Sequence, residues 1–527
     1  MASPDSYLMS FWADNNLYAS GRDPLGIRNS SAVIFAKLLP GLTSVTKRIR
    51  LYGFYSWILQ HFYATNEMQS REKQMQFIRR CEVLLSYIMA SRVPRIAGMD
   101  GNSYADNLLD ELAKSNETKL DIHTPALFYK ASEKNKTYYQ AQGGVLDVVY
   151  VGSLINLGLI ARLQEKDNLL VPTLHGKELA SDFDVGISEV NKSLFFNSIE
   201  AGTIHIRQLS GLLEDFDLVR DIRGSGEWNF YSRLLAGPDC GFSPGKASFF
   251  RRENIRYYLD LYEKKPFLKP GKEYPAYFYE NGLNDGNTLD PVRNLWSIAE
   301  LSEKIHYCLE TLFWCILQLL DQGESRIPIT LFAKHFATIA LDSLFPEEKD
   351  EIRSQSLGKW VSTLKGETLS ENDVDSFLRK KDTHKVIGVT LRFLYSLYHI
   401  QANQLSALES CLKQQGLSGH QGNVFRDYMH FFLAWEDKPL LESFERLSLR
   451  LINQHMEVAF TKMSQGRNNV LRITVEDNCL IKLAPDYPAQ VANRVHQFHM
   501  FLTDMRFIDK TGLTPEGEML QKELSNA

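Results

Sequence analysis

Apolar residues recur every three or four positions along most of this chain, the spacing of helices that bury one face. Residues 31–39 predict a helix that stops at Pro40-Gly41. Thr43 or Ser44 can cap the next one, over 45–63. Its apolar positions Ile49, Tyr52, Phe54, Tyr55, Ile58, Leu59 and Phe62 cover so wide a face that the helix is expected to be largely buried. A helix over 69–89 turns Phe77, Cys81, Leu84, Leu85 and Ile88 inward and Arg71, Lys73, Arg79 and Arg80 outward. Further helices are predicted over 145–160, 191–223 and 292–321, then onward to about 465, with a last one over 489–507. Residues 470–483 switch to period two: Leu471, Ile473 and Val475 alternate with polar residues before Asp477-Asn478, a hairpin signal. The expected fold class is mainly α: a multi-domain helical protein with small winged-helix-like β-hairpins.

One short pattern occurs twice. A helix ends in apolar residues, a polar turn follows, and then come Thr, two residues, Gly and another helix. The first copy runs from Leu154 through Leu159, Ile160, Thr173 and Gly176 to Leu179; the second from Phe501 through Phe507, Ile508, Thr514 and Gly517 to Leu520. Winged-helix modules read this way, and they enter a DNA groove only with Lys or Arg beside the inserted helix. Residues 145–160 carry no Lys or Arg and only Asp147, so packing or protein contact is expected of the first copy. The second has Arg494, His496, Gln497, Arg506 and Lys510.

Glycine and proline divide the chain. Gly21-Arg-Asp-Pro-Leu-Gly26 reads as a turn, Gly143-Gly144 as a break, and 237–245 and 266–291 as loops. The division that follows is 1–140, a basic helical segment after a short amphipathic opening at 1–21; 141–190, the first winged-helix-like unit; 191–290; a helical domain at 291–465; and 466–527, the second unit.

Composition adds little: 44% hydrophobic and 23% charged is an ordinary globular balance. Net charge is −5, yet residues 1–100 hold twelve Lys or Arg against seven Asp or Glu, so a head of +5 precedes a body of −10. That permits local contact with phosphates and argues against coating a polyanion. No Cys-x-x-Cys occurs, and Cys308 and Cys315 read as small buried hydrophobes. With no signal peptide and no long apolar run, a cytoplasmic protein with no membrane contact is expected.

Two stretches are candidates for nucleic-acid contact. Residues 246–265 interleave Lys246, Arg251, Arg252 and Arg256 with Phe249, Phe250, Tyr257 and Tyr258, as single-strand binders do. The plainer reading is an amphipathic helix with its rings in the core. Lys47, Arg48, Arg50, Arg71, Lys73, Arg79 and Arg80 form a second basic face, by default a solvated one. Gly241–Ala247 fails as a phosphate loop, having three residues between its glycines and no hydroxyl after Lys246. His496 and His499 lack a third ligand nearby in sequence. Asp221 and Glu227 are a weak nuclease pair. No catalytic residue, metal ligand or cofactor is assigned.

The runs Asp23-Pro-Leu-Gly-Ile, Leu38-Leu-Pro-Gly-Leu-Thr and Arg48-Ile-Arg-Leu-Tyr-Gly-Phe-Tyr-Ser-Trp57, with 472–517, resemble accessory subunits of bacterial multi-gene anti-phage systems of the Druantia type. The resemblance covers about the first hundred and last sixty residues. It implies a non-catalytic subunit acting beside a helicase or nuclease. The expected function is therefore a subunit of an antiviral defence complex that binds partner proteins and DNA; the alternatives are a metal-dependent nuclease and a winged-helix transcriptional regulator.

Overall fold

The computed structural model describes all residues except 1–22, 66–69, 97–101, 113–117, 128–136, 142, 165–167, 238–245, 282–289, 323–325, 347–353, 420–422, 468–469 and 527. The opening segment 1–21, Cys240 and most of the Gly241–Ala247 loop lie outside the described residues. The chain is mainly helical, with short antiparallel strands in sheets of two or three. It forms two compact units, each built from separate stretches: residues 1–35 with 275–492, and residues 36–274 with 493–527. The division after Tyr274 falls inside the 266–291 stretch that its proline and glycine content marks as a loop. Part of that stretch is nevertheless helical, Pro270–Asn281, with Pro270 at the first position, where its missing N–H costs nothing.

In the 36–274 unit the Arg50–Thr65 helix is almost wholly buried. It starts later than the predicted 45, because Thr43 and Thr46 close a local turn through their own hydroxyls instead of capping a helix. Phe54 and Trp57 meet Phe183, Phe195 and Phe216 in edge and tilted contacts. Burying each such ring contributes about 1.5–3 kcal/mol. The Arg71–Ala90 helix begins where Ser70 accepts the Lys73 amide at 3.2 Å. Strand Lys119–Asp121 pairs with Thr203–His205, interrupting the helix predicted over 191–223, which forms instead as Glu189–Ala201 and Leu209–Phe216.

Both copies of the repeated pattern lie in this unit as helix, hairpin and helix. The first is Val151–Asn156, Ile160–Leu163, Leu169–Pro172 and Leu174–Val185; the second is Val495–Asp504, Ile508–Asp509, Gly512–Leu513 and Pro515–Asn526. Thr173 and Thr514 cap the closing helices, accepting the Gly176 and Gly517 amides at 3.2 and 3.1 Å. Both glycines are obligatory: a Cβ would sit 1.9 Å from the Leu159 carbonyl oxygen in one copy and 1.9 Å from that of Phe507 in the other. The turn out of the first helix is left-handed in both, at Gly158 (φ 69°) and Arg506 (φ 59°).

In the 275–492 unit the long Pro291–Gln322 helix packs with Thr383–Gln401 and Leu440–Ser464, and Ile329–Leu344 packs on the last two. The predicted hairpin is Ile473–Glu476 with Cys479–Lys482, and Ile327–Pro328 adds a third strand. Asp477 and Asn478 both take positive φ (50° and 61°), as a two-residue turn of matching twist requires. Among the described residues no helix is long and apolar enough to cross a membrane.

Candidate functional site

The Leu440–Ser464 helix places Arg446, Arg450, Asn453 and Glu457 on one face, three and four positions apart. Opposite runs a π-helical turn, Phe425–Met429, continuing into the helix His430–Trp435. Between them lies a cavity of about 650 Å³, lined by polar groups and rings. Its floor is the turn at 23–28. Gly26 is there because φ is 67° and because a Cβ would meet the Val458 side chain at 2.7 Å.

Three arginines, the rings of Phe431 and Trp435, and the acids Asp427 and Glu457 line the cavity. The Arg450 guanidinium lies 4.8 Å from the Tyr428 ring centre and 4.9 Å from that of Phe431, and it donates to the Asp427 carbonyl. Arg446 is 5.9 Å from the Trp435 ring. Arg426, half exposed, pairs with Asp427 at 2.8 Å on the rim. The rings of Phe431 and Trp435, half-buried, are 5.9 Å apart. Two guanidiniums beside flat rings, with a third on the rim, can hold an anionic group and stack a planar one.

The sequence-predicted residues are placed otherwise, and most are committed to the protein's own groups. On the Lys246–Lys264 helix, Arg251 is buried with Phe250 and Tyr258, and Arg252 is half-buried. Arg256 pairs with Glu253 at 2.6 Å and covers the Tyr257 ring at 4.2 Å. This is the amphipathic arrangement with rings inward; Phe249 alone among those four rings is well exposed. Arg494 donates to the Leu42 carbonyl at 2.6 Å, with burial pushing its guanidinium down to about 10, and Gln497 donates to the Ser44 carbonyl at 2.7 Å.

The basic face is not assembled as one surface. Arg48 pairs with Asp504 at 2.7 Å and Arg71 with Asp147 at 2.6 Å. Arg79 is buried and donates to the carbonyls of Ala126, Leu127, Tyr139 and Ala141. Arg80 meets His123 at 2.9 Å, and Lys47 is half-buried. Asp221 and Glu227 are not brought together around a lysine: Asp221 binds Arg223 and Glu227 binds the buried Arg50 at 3.0 Å. His496 is exposed, while His499 meets the Tyr258 hydroxyl at 2.8 Å.

No protein-family model, curated protein or solved structure matches this chain. Its site must therefore be judged on its own geometry. The arginines at 446 and 450 had a sequence signal, a repeat of basic residues at helical spacing, but the same spacing describes an ordinary solvated face. Only the rings from 428–435 distinguish it. Among the described residues, Asp23, His306 and Glu310, in the same unit, are a group of side chains close enough to hold a metal ion.

Proposed function

We propose that this protein is a non-catalytic subunit of an antiviral defence complex, docking a helicase or nuclease partner and binding single-stranded nucleic acid through the cavity between 425–435 and 440–464. One observation carries the nucleic-acid part: Arg426, Arg446 and Arg450 ring a cavity beside Phe431 and Trp435, pairing cations for phosphates with rings for bases. The defence role rests on the resemblance of residues 23–57 and 472–517. The helix–hairpin–helix units, with Arg494 and Gln497 tied to backbone carbonyls, act in this reading as packing modules and not as groove readers.

Fluorescence anisotropy with a labelled single-stranded oligonucleotide tests it. Binding is expected to weaken steeply between about 50 and 200 mM salt, and Arg446→Ala is expected to reduce the salt slope by about one. No binding at low salt, or equal binding by Arg446→Ala, overturns the reading.

A further inference from the structure

Three ligating side chains from distant stretches meet inside the 275–492 unit. Asp23, His306 and Glu310 are 4%, 0% and 2% exposed, and one ligand atom from each lies within 4.8 Å of the others. His306 and Glu310 are four residues apart on one helix and share a face. Asp23 arrives on the 23–28 turn, which is pinned to the Leu440–Ser464 helix: Gln454 donates to the Leu25 carbonyl at 2.6 Å, His455 Nδ1 to the Pro24 carbonyl at 2.9 Å, and the Lys462 ammonium to the Asp23 carbonyl.

Each ligand is also held in place by the protein's own groups. The Asp23 carboxylate accepts the Ile27 and Arg28 amides at 3.2 and 3.1 Å. Glu310 Oε2 accepts the Ala489 amide at 2.9 Å and faces Arg28 at 3.5 Å. His306 Nδ1 faces Glu303 Oε1 at 3.2 Å, and Glu303 is itself held by the Ser31 hydroxyl at 2.7 Å and by the Val491 amide. His306 Nε2 and Glu310 Oε1 are left over. They stand 3.0 Å apart, at ion-pair distance but not aligned as a hydrogen bond. Two ligands on one ion, with bonds of about 2.1 Å, stand about 3.0–3.4 Å apart without aligning on each other.

We propose that Asp23, His306 and Glu310 bind one divalent cation of the zinc class, with Glu303 as the outer carboxylate that orients His306. Buried as it is, the ion serves as a fastener: it ties the 23–28 turn, the floor of the arginine cavity, to the Pro291–Gln322 helix. Charge favours a cation. Among the described residues, the carboxylates of Glu303, Glu310 and Asp23, the last pushed up by burial, have Arg28 and Lys462 as their cationic neighbours when His306 is neutral. The rival occupant is a proton. Burial lowers the His306 imidazole, but Glu303 and Glu310 outweigh that and raise it to about 10. A protonated His306 pairs with Glu303 through Nδ1 and with Glu310 through Nε2, whereas a cation takes Nε2 and Oε1 as ligands.

The test uses the full chain, stripped with a chelator and titrated with zinc against a chromogenic competitor, in wild type, His306→Gln and Glu303→Gln. One equivalent is expected in wild type, its loss in His306→Gln, and about 10–100-fold weaker binding in Glu303→Gln. Equal zinc binding by wild type and His306→Gln overturns the proposal in favour of the proton. Should His306→Gln fail to fold, cobalt in wild type decides: visible d–d bands without thiolate charge transfer support the site, while no bands, or bands with thiolate charge transfer, overturn it.

Discussion

Glu82 in the 36–274 unit and Glu310 in the 275–492 unit are both carboxylates sealed from water, 2% exposed in each case, and they are completed differently. Glu82 is saturated by the protein. Its Oε1 accepts from the Tyr55 hydroxyl at 3.1 Å and the Leu146 amide at 2.7 Å; its Oε2 accepts from the Val145 amide at 3.0 Å and the Tyr138 hydroxyl. Burial pushes its carboxyl up, and these four donors pull it back. Glu310 has donors on one oxygen, while the other faces His306 Nε2 at 3.0 Å without hydrogen-bond alignment. A buried acid must be neutralised or fully bonded. Where the fold supplies every donor, the centre is architectural. At Glu310 the second oxygen meets a titratable imidazole instead of a fixed donor.

The largest effect expected from breaking this contrast is at the saturated centre. Glu82→Ala strands two hydroxyls and two amides in the core and should cost about 3–5 kcal/mol in chemical denaturation; a loss no larger than that of a surface substitution would refute the saturation. Next come the glycines behind the two threonine caps in the same unit. Gly176→Ala and Gly517→Ala each force a Cβ onto a carbonyl oxygen and should each cost about 1–3 kcal/mol or more. If calorimetry finds one costly and the other neutral, the two copies are not equivalent.

A smaller effect concerns acid. Burial, and then the nearby His496, hold the His499 imidazole down at about 4. A base depressed in the fold gives stability that is complete above the ordinary histidine range near 6.5 and is lost as the pH falls toward 4. Discounted for partial exposure, the loss is about 1 kcal/mol. It should appear as a lower thermal midpoint at pH 5 than at pH 7, flattened in His499→Asn. Last, Glu310→Gln in excess chelator should cost clearly less than Glu82→Ala in chemical denaturation. The amide oxygen still accepts from Ala489, and what is lost is the charge that faces Arg28 at 3.5 Å and His306 at 3.0 Å. A loss as large as that of Glu82→Ala would put the two acids on an equal footing and remove the contrast.

Local chemistry was legible in the sequence. Asp477-Asn478 announces its hairpin, the Thr-x-x-Gly pairs announce capped helices behind a tight carbonyl, and Gly143-Gly144 marks a real break: Gly144 has φ 72°, and a Cβ there would meet Glu82 Oε2 at 2.5 Å. Pairings over long separations were not. The strands 119–121 and 203–205 are three residues each, too short for period two to show. Arg79 reads as a surface charge because its partners are backbone carbonyls, which sequence does not reveal. The two candidate sites were hidden for the same reason. Arg446 and Arg450 need the rings of 428–435 to become more than a solvated face, and Asp23 lies nearly three hundred residues from His306.

The pinning of the 23–28 turn also sets an order of events during synthesis. Its backbone partners Gln454, His455 and Lys462 follow it by 429, 431 and 439 residues. At ribosomal speeds the wait is roughly 20–90 s. Throughout that interval Leu25 and Ile27, both destined for the interior, have nothing of the 440–464 helix to dock on, so the 23–28 segment must be shielded by other means until that helix emerges.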